Sequence, residues 1–104
     1  MTVANVWLVD GTTKRICVSG HSGYDVEGKD IVCSSISTAI MLAVNIINDV
    51  CSEYIFNADE KRVVTDLEII DINPYSEIVM KNLYLTLEEI GRQYPKYLKV
   101  RINK

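Results

Sequence analysis

One thiol and one imidazole, Cys33 and His21, stand twelve residues apart in the stretch GHSGYDVEGKDIVCSSIS of residues 20–37. His21 is the only histidine of the chain, and the stretch also carries Gly20, Gly23 and Gly28, three of its five glycines. Asp30 precedes an apolar periodic run, and its carboxylate suits the free N–H groups of a first helical turn. With Asp30 as N-cap, Ile31 is N1, Val32 is N2 and Cys33 is N3. The sulfur then lies where unpaired amides and the helix dipole stabilise negative charge, a setting that favours a thiolate. The amides around Cys33 and Ser34 are candidates to hold an oxyanion once that thiolate attacks a carbonyl. A loop of this length can fold back and bring the imidazole to the thiol, as general base, ion-pair partner or proton donor to a leaving amine. The alternatives are that Cys33 is a small buried residue and His21 an ordinary polar group. Asp30 has two open roles, capping the helix or orienting His21.

Other chemistries find less support. Cys17 falls in mid-strand and Cys51 at the C-terminal end of a helix, where the dipole disfavours a thiolate; both read as structural. No two cysteines are close and the histidine is alone, so no metal site is expected, since zinc normally takes four ligands in paired spacings. Lys29 follows a glycine, but the phosphate-loop pattern is missing, and no cofactor is expected. Glu88 and Glu89 read as a solvated helix face. The net charge is −3, with no run of more than two basic residues, so direct nucleic-acid binding is not expected. Three cysteines are an odd number, the start lacks a signal-peptide pattern, and no apolar run approaches a membrane span. A reduced, cytoplasmic location is expected.

The elements that must position these groups follow from periodicity. Residues 2–9 and 14–19 read as strands joined by a turn at Asp10-Gly11. Residues 20–29 leave the second strand through glycines, and residues 22–29 read as a lid that orders over a peptide. A helix follows from Ile31 to about Asp49, with Ile36, Ile40, Ala43, Val44 and Ile47 on its stripe. Residues 51–57 read as a loop or helix extension, and residues 62–71 as the clearest strand. Asn73-Pro74 opens a second helix ending at Gly91, and residues 97–102 form the last strand. The expectation is a single domain over residues 1–104. Its fold class is α/β of the α+β type, a four-stranded mixed sheet with two helices in the order β-β-α-β-α-β. An outer sheet face carrying Trp7, Cys17 and Tyr97 makes a dimer compatible with the pattern.

The stretch 20–37 closely resembles the signature of the bacterial ribosomal-processing cysteine protease family (Prp-like), of the type GHA…G-x-DIVCAAVS. The resemblance extends over the chain, because that family shares the element order and the length. It implies His21 and Cys33 as a catalytic dyad, with Gly20 and Gly28 as loop glycines and Asp30 and Ser37 at their signature positions. Ser22, Ser34, Ser35 and Ile36 replace commoner alanines and valine. It further implies a homodimeric thiol protease of ribosome biogenesis. Such an endopeptidase removes the N-terminal extension of large-subunit ribosomal protein twenty-seven, cutting between large apolar residues and a small one. The alternatives are a non-enzymatic ribosome-associated assembly protein that binds a basic tail, and a redox protein with Cys17 or Cys51 resolving Cys33.

Overall fold

The structure, a computed structural model, describes residues 1–26 and 28–104. Strands β1 (Thr2–Val9) and β2 (Thr12–Ser19) form an antiparallel pair. Helix α1 (Ile31–Val50) follows, then β3 (Tyr54–Asp59) and β4 (Val64–Ile69), helix α2 (Pro74–Gln93), and β5 (Leu98–Asn103). The sheet has five strands in the order β3-β4-β2-β1-β5, with β1 and β5 parallel and the other pairs antiparallel. The four-stranded sheet expected from the sequence is therefore incorrect, and the missing member is β3. Only alternate residues of YIFNAD are half-covered and the rest lie open, because β3 is an edge strand. One-sided burial over six residues leaves little apolar periodicity to read. The turn that follows holds Val63 at φ 52°, and the Asp59 carboxylate accepts from the amides of Lys61 and Arg62.

The core lies between one face of the sheet and the two helices. Ala4 and Val6 of β1, Ile16 and Val18 of β2, and Leu67 and Ile69 of β4 point into it. Val32, Ile36, Ile40, Ala43 and Ile47 of α1 meet them, a stripe at three-and-four spacing. From α2 come Ser76, Met80, Leu83 and Leu87, so Met80 takes the centre of the buried stripe while Val79 and Ile90 are only partly covered. On the outer sheet face the guanidinium of Arg15 lies 4.6 Å from the centre of the Trp7 ring and pairs with both carboxylate oxygens of Asp66, at 2.9 and 2.6 Å. That bidentate pair covers the indole with charge.

One further expectation changes. Gly91 does not stop α2, which runs on to a C-cap at Tyr94. A β-carbon on Gly91 would stand 3.3 Å from the carbonyl oxygen of Leu98, so glycine there admits the close approach of β5. Helix α1 is long and apolar enough, by length and composition alone, to cross a membrane. Its buried stripe instead contributes to the core, while Ser34, Ser35, Ser37, Thr38, Asn45 and Asp49 lie on its exposed sides.

Met80 has no exposed surface and sits at the junction of α2 with the sheet. Replacing it with alanine should cost about 2–5 kcal/mol of stability, read by urea denaturation of the two proteins side by side. A loss below about 1 kcal/mol would mean that the neighbouring side chains close the gap.

Candidate active site

Three pieces of chain converge on a cleft of about 680 Å³: the end of β2 with its following loop, the first turns of α1, and the turn between β3 and β4. The exit from β2 is set by Gly20, at φ 87°, whose amide donates to the carbonyl of Val63 at 2.9 Å. The Thr2 hydroxyl donates to the Gly20 carbonyl at 2.9 Å, and a β-carbon here would stand 3.0 Å from the carbonyl of Met1. Any side chain here would crowd the Met1 carbonyl and strain a backbone held at positive φ, so glycine suits this exit from β2.

Asp30 is the N-cap of α1 and is buried, with only 6% of its surface exposed. One carboxylate oxygen accepts from the amides of Val32 and Cys33, each at 3.0 Å. The other accepts from the Ser22 hydroxyl and from the amides of Tyr24 at 3.1 Å and Asp25 at 3.4 Å. Burial opposes ionisation of this group, but the Ser22 hydroxyl and the amides of Cys33, Asp25 and Val32 outweigh it and hold the pKa down to about 2. A single carboxylate thus ties the start of the helix to the loop beyond His21. Tyr24 anchors the same loop from the other side, meeting Tyr94 and Tyr97 edge to face at 5.7 and 5.2 Å between ring centres.

Cys33 is N3 of α1, half-buried, and its sulfur lies in the cleft. The Ser22 amide donates to Sγ at 3.5 Å, and the thiol in turn faces the Ser22 hydroxyl oxygen at 3.5 Å. His21 lines the same cleft and is exposed; among the described residues no hydrogen bond joins it to Cys33 or to Asp30. Gly20, Gly23, Gly28, Ser34 and Ser37 also line the cleft. The Ser34 hydroxyl donates back to the Asp30 carbonyl at 3.0 Å.

The amides expected to cradle an oxyanion are already engaged. The Cys33 amide donates to the Asp30 side chain and the Ser34 amide to the Asp30 carbonyl, both at 3.0 Å. An N-cap satisfies the very donors that a bare helix start would offer. The amide beside the sulfur is that of Ser22 instead. Ser22 is the residue whose contacts the sequence did not disclose; its adjacency to His21 was the available signal. The wall made by Ala58, Asp59, Glu60 and Val63 was also missed, because it depends on β3. The expected lid, residues 22–29, includes Glu27, which lies outside the described residues. Cys17 and Cys51 stand elsewhere: Cys17 faces Asn5 and Asp66 in the sheet, and the Cys51 thiol donates to the carbonyls of Glu53 and Asp71 at 3.2 and 3.3 Å.

A helix-start thiol and an imidazole share one cleft on a small α/β sheet protein, the two kinds of group that nucleophilic thiol catalysis uses. The family model for cysteine protease Prp matches residues 1–99, and the chain belongs to that family. It is similar to a solved structure of an essential ribosomal processing protease Prp from S. aureus with a covalently linked product peptide. The two are 21% identical, with a TM-score of 0.93 over 99% of this chain and 100% of the other. The same S. aureus protease with a substrate peptide gives 20% identity and a TM-score of 0.87, over 99% and 100% of the chains. SMU.848 from Streptococcus mutans gives 20% and 0.83, over 98% and 93%. No curated protein matches the chain.

The depressed Asp30 carboxyl sets the direction of an acid effect. Its pKa is about 2 in the folded protein and about 3.9 in the unfolded chain, so its stabilisation is complete above about pH 4. That contribution is lost as the pH falls through about 2. Unfolding melts of the unmutated protein and of Asp30→Asn, followed from neutral to acid pH, should differ most at neutral pH and converge at the acid end. Asp30→Ala, which removes the cap as well, should lose at least about 1 kcal/mol. Parallel curves for the unmutated protein and Asp30→Asn would remove the carboxylate from the account of acid stability.

Proposed function

We propose that this Prp-family cysteine protease removes the N-terminal extension of large-subunit ribosomal protein twenty-seven, with Cys33 as nucleophile and His21 as acid–base partner. Sγ attacks the scissile carbonyl carbon while His21 takes the thiol proton and delivers it to the leaving amine. Water activated by His21 then opens the thioester and restores the thiol. The observation that carries the reading is the position of Cys33 at N3 of α1, its sulfur in the cleft that His21 also lines. Contacts between catalytic groups commonly tighten only when substrate is bound, which fits two groups that share a cleft without a bond between them.

Asp30 supports the site by capping α1 and holding the loop, and the Ser22 amide is the oxyanion donor nearest the sulfur. The loop glycines Gly20, Gly23 and Gly28, with Ser34 and Ser37, shape the cleft wall. The substrate class is supported by family membership together with the S. aureus protease, which is named for ribosomal processing and holds a peptide in both of its structures. The protein then works in the cytoplasm, on a newly made ribosomal protein. It does so as a homodimer, a reading supported by apolar side chains left open on the helices, Met41, Leu42 and Ile46 of α1 and Ile78 and Leu85 of α2.

Incubation with the ribosomal protein precursor, read by intact mass, should show one N-terminal loss with the unmutated protein. Cys33→Ala should abolish it, and His21→Ala should reduce it by at least about a hundredfold. Binding without cleavage by all three would favour the assembly-protein reading. Sedimentation at micromolar concentration should give twice the mass of one chain, and a single-chain mass would remove the dimer.

A further inference from the structure

The Ser22 side chain makes a second use of the thiol's surroundings. It is 2% exposed, and its oxygen has three neighbours: the Asp30 carboxylate, the Tyr24 amide at 3.3 Å, and the Cys33 thiol at 3.5 Å. A serine hydroxyl has one proton and two lone pairs. An ionised carboxylate is acceptor-only, so the contact with Asp30 commits that proton. The Tyr24 amide is also a donor, and it shares its one proton between this oxygen and the Asp30 carboxylate at 3.1 Å. What remains for Cys33 is a lone pair, which can accept an S–H but offers nothing to S⁻.

We infer that Ser22 is a positioning residue whose side-chain oxygen accepts the S–H of Cys33 in the free protein, because its own proton is committed to Asp30. The Ser22 amide stands on the other side of the balance, since its N–H favours negative charge on sulfur. The backbone contact thus supports the thiolate needed for attack, while the side-chain oxygen restrains its formation. The S–H bond breaks only when a base takes the proton, and the Ser22 oxygen, already bonded to Asp30, is not that base. The inference rests on the reading of Cys33 as nucleophile, but its test follows the thiol and not peptide cleavage, so the two can fail separately.

The test is the rate of Cys33 alkylation by iodoacetamide, read by peptide mass so that Cys17 and Cys51 are counted apart, in the unmutated protein and in Ser22→Ala. Among the described residues, His21, Asp25, Asp30, Asp59 and Glu60 are the titratable groups that share the cleft with the thiol, and both proteins carry all of them. At about pH 7, losing one acceptor of the S–H should make Ser22→Ala react about fivefold faster. At about pH 10, where thiols ionise regardless, the two rates should converge. An equal acceleration at both pH values would show that Ser22 merely shields the sulfur, and an unchanged or slower rate would show that it does not restrain the proton; each overturns the inference. Should Ser22→Ala not fold, Raman spectra of the unmutated protein decide. Subtracting the spectrum of Cys33→Ala should leave an S–H band at neutral pH, shifted down from that of a free thiol. No S–H band in that difference overturns the inference as well.

Discussion

A buried carboxylate with five donors around it is the constraint on which this site depends. Asp30 has one oxygen on the first turn of α1 and the other on the loop that follows His21. A ten-residue connection containing three glycines loses much entropy on ordering, and a helix start leaves amides without partners. Joined through one ion, each meets the need of the other. The burial that would penalise that ion is offset because its hydrogen bonds come from groups that are themselves in want of an acceptor.

The consequence for chemistry is a division of labour at one helix end. The dipole and the first-turn amides are usually considered together as a site for negative charge. Here the Cys33 and Ser34 amides are occupied by Asp30, and the thiol is left with the field of the helix and with a single amide from outside it. The loop that crosses the cleft therefore supplies the polar contacts of the sulfur. His21 and Ser22 are consecutive but differ in burial: the imidazole lies open on the cleft rim and the serine is enclosed beside the sulfur. The loop thus presents one of two consecutive side chains to solvent and the other to the thiol.

The rest of the fold supplies the rigid frame. β2 ends beside the start of β4, which fixes where the loop departs, and Gly20 lets β1 lie against that point. The edge hairpin β3–β4 builds the far wall of the cleft, with Asp59 holding its turn. Tyr24 carries the loop to the other end of the sheet, against Tyr94 and Tyr97 between α2 and β5. The cleft is thus held by elements distant in sequence, and an insertion in any of them would reach it.

Local patterns were enough for the helices, four of the strands and the chemistry-bearing stretch. Asp30 before an apolar periodic run, Asn73-Pro74, and the alternation of Ile16 with Val18 and Leu67 with Ile69 each express a short-range rule. The family signature was legible for the same reason, since it lies in one unbroken segment. Tertiary structure alone decided the rest. β3 exists because β4 offers it a partner, and an edge strand of six residues with only Tyr54 and Phe56 half-covered carries little periodicity of its own. Gly91 reads as a helix stop until β5 is seen to approach its backbone. The engaged amides of Cys33 and Ser34, and the burial of Ser22 against the sulfur, depend on where one carboxylate points. That direction is set by packing across the cleft and is not written in the spacing of residues.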